Sequence, residues 1–146
     1  MTNVVIISGL LVFPWLVAYV FDLDLTFCGR IGVSAVFLFT AIGHFFKTES
    51  MLLMLPPFFP ACRATIYLSG AVEILFAVAL PAVSHPSYVG WSVVLYLILI
   101  FPSNIYAAIQ RIPFGGHSMG PRYLLVRFPL QVLLVLWTYY FSVKLN

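Results

Sequence analysis

The sequence predicts an all-α, polytopic transmembrane helical bundle, and three observations carry that expectation. Hydrophobic residues make up 63% of the 146 residues and charged residues only 8%. Mean hydropathy is +1.09. Five separate stretches approach the roughly 20 apolar residues that a helix needs to cross hydrocarbon. Soluble domains carry about 25% charged residues, so this chain cannot clothe a water-facing surface, whereas lipid asks for no such cover. By length, residues 1–146 form a single membrane domain. The net charge of +3 comes without a basic cluster, which excludes a phosphate track and hence nucleic acid as a partner.

The first span is expected at 4–21, "VVIISGLLVFPWLVAYVF". It lacks the basic leader and small-residue cleavage site of a secretion signal, so it reads as a retained helix, kinked at Pro14. The second is expected at 27–46, the third at 64–83, the fourth at 88–109 and the fifth at 123–143. Between the second and third lies "ESMLLML", about 10 Å as a helix and too short to span. Thr48 suits its N-cap and Glu49 its first turn, and Pro56, Pro57 and Pro60 forbid continuation. Residues 48–60 therefore read as an interfacial or re-entrant segment, either a plain connection or a lid over the bundle.

Lys and Arg set orientation. Five crossings place Lys47, Arg63, Arg111, Arg122 and Arg127 on one side and Arg30 and Lys144 on the other. Five against two puts the amino terminus in the cytoplasm. Cys28 and Cys62 then lie at opposite faces, about 30 Å apart, and no disulfide joins them within one chain, because a bridge needs Cα atoms within about 7 Å.

Glu73, in "YLSGAVEILFAVAL", sits near the bilayer centre. A carboxyl there costs at least about 2.5 kcal/mol and faces a bundle interior or a wet cavity. It admits two readings: a protonated bridge between helices, or a binding and proton-handling group. Ser69 precedes it by one turn on the same face, and Gly70 lets a neighbour come close. His44 ends the second span, either as an interfacial residue or as part of the same site. Tyr67, Asn104, Tyr106, Arg127 and Gln131 fall in the same half of the bilayer. Arg127 is open between lining a site and snorkelling to lipid phosphate. Asp22 and Asp24 read as a solvated loop. Together these residues describe a polar pocket open to the cytoplasmic leaflet, beside an almost wholly apolar outer half. His85 and His117 form no ligand pair, and no metal site is expected.

The blocks "GRIGVSAVFLFTAIGHF", "MLPPFFP", "YLSGAVEI", "FPSNIYAAI" and "RFPLQ", in this order and spacing, resemble the DoxX family of small bacterial membrane proteins. The resemblance runs from about Arg30 to Trp137. It implies a DoxX-like four-helix core plus an extra N-terminal helix, and residence in the bacterial inner membrane. It also implies a place beside membrane redox complexes. The expected function is an accessory subunit that binds a quinone or another apolar ligand through His44, Glu73 and Asn104. A redox partner protein would supply electrons, for which the chain shows no carrier motif. Two alternatives stand beside it: an intramembrane acid–base enzyme acting on a hydrophobic substrate, and a structural or chaperone-like bundle. An oligomer is compatible with each.

Overall fold

The computed structural model describes residues 2–57 and 63–145. Six α-helices follow one another: α1 (Thr2–Val20), α2 (Leu25–Phe46), the short α3 (Thr48–Leu52), α4 (Arg63–Ala82), α5 (Pro86–Ile109) and α6 (Leu124–Tyr139). A 3-10 segment, His117–Tyr123, leads into α6, and a π-helical turn, Tyr140–Lys144, prolongs it. No strand occurs among the described residues. Five helical stretches are long and apolar enough to span, and the chain is an integral membrane protein with an all-α bundle fold. Cys62 and Pro60 lie outside the described residues, so the expectation about a Cys28–Cys62 bond does too; Cys28 itself is a free thiol.

The helix ends have local causes. Asp22 adopts a left-handed φ of 52°, and Leu23 N–H donates to Ala18 O at 2.9 Å, the six-to-one bond that closes a helix C-terminus. Asp24 then caps α2, its Oδ1 accepting from the N–H groups of Thr26 (2.8 Å) and Phe27 (3.1 Å). These two acids, expected merely as solvated loop, make the turn between the first two spans. α5 starts at Pro86, two residues earlier than expected, because proline is preorganised for a helix's first turn. Thr48 departs from expectation. It is the first residue of α3 rather than its cap, and its hydroxyl donates to His44 O at 2.7 Å, with Phe45 O at 3.2 Å. Thr48 thus closes α2 by satisfying carbonyls that the helix end leaves free. Glu49 does not act through the helix alone either: it pairs with Arg63 Nη2 at 2.6 Å and ties α3 to the start of α4.

Leu11, Val33, Leu80 and Val93 are fully buried where α1, α2, α4 and α5 meet, with Leu130 and Leu134 of α6 closing the cluster. α2 is the central helix and packs most extensively on α4, then on α1. Glycine makes both approaches possible. A Cβ on Gly32 would collide with Leu11 O of α1, and one on Gly70 would stand 2.9 Å from His44 Cβ and 3.1 Å from the Phe45 ring. Gly9, by contrast, faces open space. The end of the bundle that carries Lys47, Arg63, Arg111 and Arg122 is called the basic end below.

Alanine is intrinsically better in a helix than glycine by about 1 kcal/mol. Gly9→Ala should therefore leave the thermal midpoint in detergent unchanged or slightly raised. Gly70→Ala should lower it, since α2 and α4 must part. Equal behaviour of the two variants would contradict the close α2–α4 contact.

Candidate functional site

α2 and α4 run antiparallel, and side chains lean toward the N-terminus of their own helix. His44 near the end of α2 therefore leans toward the bundle centre, and Glu73 in mid-α4 leans toward the basic end. The two meet. His44 Nε2 lies 3.4 Å from Glu73 Oε1, with side-chain exposures of 15% and 4%. On its other edge, His44 Nδ1 is 3.1 Å from Ile66 O. A carbonyl only accepts, so Nδ1 carries the hydrogen. Nε2 and Oε1 then face each other, and two bare lone pairs would repel at that distance. A single proton, carried by the imidazole or by the carboxyl, would join the two. The separation is longer than a good hydrogen bond, as is common in acid–base sites without substrate.

Tyr96 of α5 completes the group, donating its hydroxyl to Glu73 Oε1 at 2.9 Å. Its ring packs against Phe37 (centroids 6.0 Å apart) and Phe76 (5.5 Å), which walls this side of the carboxyl with aromatic surface. Three helices thus converge on one carboxylate oxygen. The other, Oε2, is buried without a hydrogen-bond partner among the described residues. Arg127 of α6 is within electrostatic reach of Glu73 and Tyr123, and its Nε is likewise buried and unpartnered. The residue as a whole is only partly buried.

The remaining candidates lie apart from the carboxyl. Gln131, one turn beyond Arg127, donates to Leu97 O of α5 at 2.6 Å and leaves Oε1 buried and unpartnered. Asn104 donates to Ile100 O within α5 at 3.2 Å, and Ser69 to Thr65 O within α4 at 3.0 Å. Tyr67 is 43% exposed and stacks on Phe45 at 5.8 Å. Tyr106 is half-buried. None of these five bonds the carboxyl. His44 and Glu73 meet, with Arg127 near; Asn104, Ser69, Tyr67 and Tyr106 do not join them. Tyr96 was missed. Its signal was depth: it is the lone hydroxyl midway along α5, level with the middle of α4 where Glu73 sits.

Among the described residues no group of three or more His, Cys, Asp and Glu side chains could hold a metal ion. His117 is buried beside Tyr123 (centroids 4.8 Å apart) and donates from Nδ1 to Phe114 O at 2.7 Å. It fastens the 3-10 segment that leads into α6.

Glu73→Gln can still bond both partners, its amide NH2 in the place of Oε1 donating to His44 Nε2 and to the Tyr96 oxygen, whereas Glu73→Leu leaves both unpaired. The leucine variant should lose about 1–3 kcal/mol of stability and the glutamine variant far less, as read by denaturation in detergent. Equal losses would show that the carboxyl's hydrogen bonds do not hold the helices.

No curated protein and no solved structure matches the chain. A family model, described as a domain of unknown function (DUF8561), matches residues 33–142. That stretch runs from the middle of α2 through α6, includes His44, Glu73, Tyr96 and Arg127, and excludes α1. The chain belongs to this family.

Proposed function

We propose that this membrane protein binds a quinone, or an apolar molecule with similar carbonyl groups, and hands it protons from the His44–Glu73–Tyr96 group as a subunit of a membrane redox system. The observation that carries the reading is the 3.4 Å approach of His44 Nε2 to Glu73 Oε1, a gap fit to hold one proton. Such a proton can move without the solvent reorganisation that charge transfer in water requires. His44 is the more exposed partner and lies near the basic end, so protons enter through it and pass to Glu73. Reduction of a quinone to the quinol consumes two electrons and two protons. The electrons come from a partner protein, and the pair reloads between the two proton deliveries.

Orientation follows the same basic end. Lys47, Arg63, Arg111, Arg122 and Arg127 outnumber Arg30 and Lys144, which favours that end, and the amino terminus, in the cytoplasm. The resemblance of its residue blocks to DoxX proteins, some of which accompany membrane redox complexes, favours the same setting and a bacterial inner-membrane location. A second reading, a purely structural lock, is favoured by the tight α2–α4 approach at Gly70. Glutamine at position 73 separates the two, because it keeps the hydrogen bonds and abolishes the mobile proton.

A short-chain quinone should raise the thermal midpoint of the purified protein. Glu73→Gln should retain the fold and lose proton delivery, seen as at least a tenfold drop in partner-supported quinone reduction. That figure is the lower end of what a positioned acid–base group contributes. Full activity in the glutamine variant, or no quinone effect on the wild type, would leave the structural lock as the better account.

A further inference from the structure

α5 ends in an unusual way. Arg111 has φ 53°, its N–H donates to Ala108 O at 3.2 Å, and Ile112 N–H donates to Ala107 O at 3.0 Å. This is the paired-bond helix stop whose left-handed position is normally glycine. Here that position holds an arginine. Gly120, itself at φ 72°, lets the Arg111 side chain lie close: a Cβ there would stand 3.2 Å from Arg111 Nε. The result is a polar pocket of about 420 Å³ lined by Arg111, Met119, Pro121 and Arg122. No carboxylate pairs with either arginine among the described residues.

The polar pocket's lining falls just past the end of α5 and just before the start of α6, and between those two helices lies a second, apolar cavity of about 430 Å³, lined by Phe101, Ile105, Leu124, Leu125, Phe128 and Pro129. Ile105 is one turn before the last helical residue of α5, and Leu124 and Leu125 come two and three residues after Arg122. The groove opens outward, since Leu125 and Phe128 are well exposed. The two cavities thus stand in line, charged at the bundle's end and apolar within its span. That order matches a phospholipid: phosphate at the interface, acyl chain in the hydrocarbon. Guanidinium groups take phosphate oxygens in bidentate fashion, and basic pockets between helix ends are known ways to hold anionic headgroups.

We infer that the α5–α6 cleft is a binding site for one anionic phospholipid, its phosphate held by Arg111 and Arg122 and one acyl chain lying along Ile105, Leu125 and Phe128. The site is separate from His44 and Glu73 and independent of the function proposed for them.

The test titrates the full-length protein in neutral detergent with phosphatidylglycerol, with phosphatidylcholine of the same chains, or with inorganic phosphate, and reads the thermal midpoint. Phosphatidylglycerol should stabilise at lower concentration than phosphatidylcholine, and phosphate alone should not reproduce the shift. In Arg111→Asn/Arg122→Gln the half-maximal phosphatidylglycerol concentration should rise roughly thirtyfold, about five- to sixfold for each cation. Asparagine tolerates the left-handed backbone, and Arg122→Gln alone should give the smaller shift. Equal response to the two lipids in the wild type, a full response to phosphate alone, or unchanged selectivity in both variants would each overturn the assignment.

Discussion

Neither an imidazole nor a carboxyl is comfortable alone in hydrocarbon, and the contact of His44 with Glu73 is the constraint on which this bundle turns. An isolated carboxyl at mid-membrane costs several kcal/mol, and that cost falls only if a partner is brought within reach. The reach of these two side chains is short. α2 and α4 must therefore approach closely where they face each other, and Gly70, with its missing Cβ 2.9 Å from His44 Cβ, is what allows it. The most extensive helix pairing in the fold thus serves its most polar contact.

The antiparallel course of α2 and α4 matters as much as their proximity. Side chains that lean toward their own N-termini converge when the helices run in opposite directions. His44 and Glu73, which start from different depths, therefore meet between them. Parallel helices would carry both side chains the same way and keep them apart. Thr48 strengthens the arrangement from outside. Its hydroxyl takes His44 O, so the backbone that carries the imidazole is pinned at the point where α2 would otherwise fray.

Much of this was legible in the residues. Apolar run lengths located the five long helices to within a few positions, because lipid imposes a length that a sequence must display. The inward facing of Glu73 followed from the cost of exposing it to lipid. The identity of its partners was harder, because each helix can rotate about its own axis and run length carries no phase. Tyr96 therefore escaped notice, while Asn104 and Ser69, at plausible depths, spend their donors on carbonyls one turn back in their own helices. That local option is open to short polar side chains and closed to a mid-helix Glu, whose neighbouring carbonyls cannot donate. Asp22 and Asp24 were read as solvated, and they are, but exposure does not preclude a structural task at a helix end.

The two ends of the bundle also differ in the kind of polarity they bury. The half away from the basic end was expected to be nearly all apolar, yet Ser34, Thr138 and Ser142 are buried there. They are small, and Ser142 sits where α5 has Gly90, whose added Cβ would come within 2.8 Å of Ser142 Cβ. Small hydroxyl residues at glycine contacts let helices pack closely in lipid and need no ligand to explain them. Trp137 adds a single bond across this region, donating to Gly29 O at 3.1 Å. The other half buries Glu73, Asn104, His117 and Gln131 and partly buries His44 and Arg127, longer polar side chains that are expensive to desolvate. Close packing alone would have been met by serine and glycine there as well. Longer polar groups, costly to desolvate, are used at one end where small hydroxyls suffice at the other, and helix packing in lipid does not by itself require that difference.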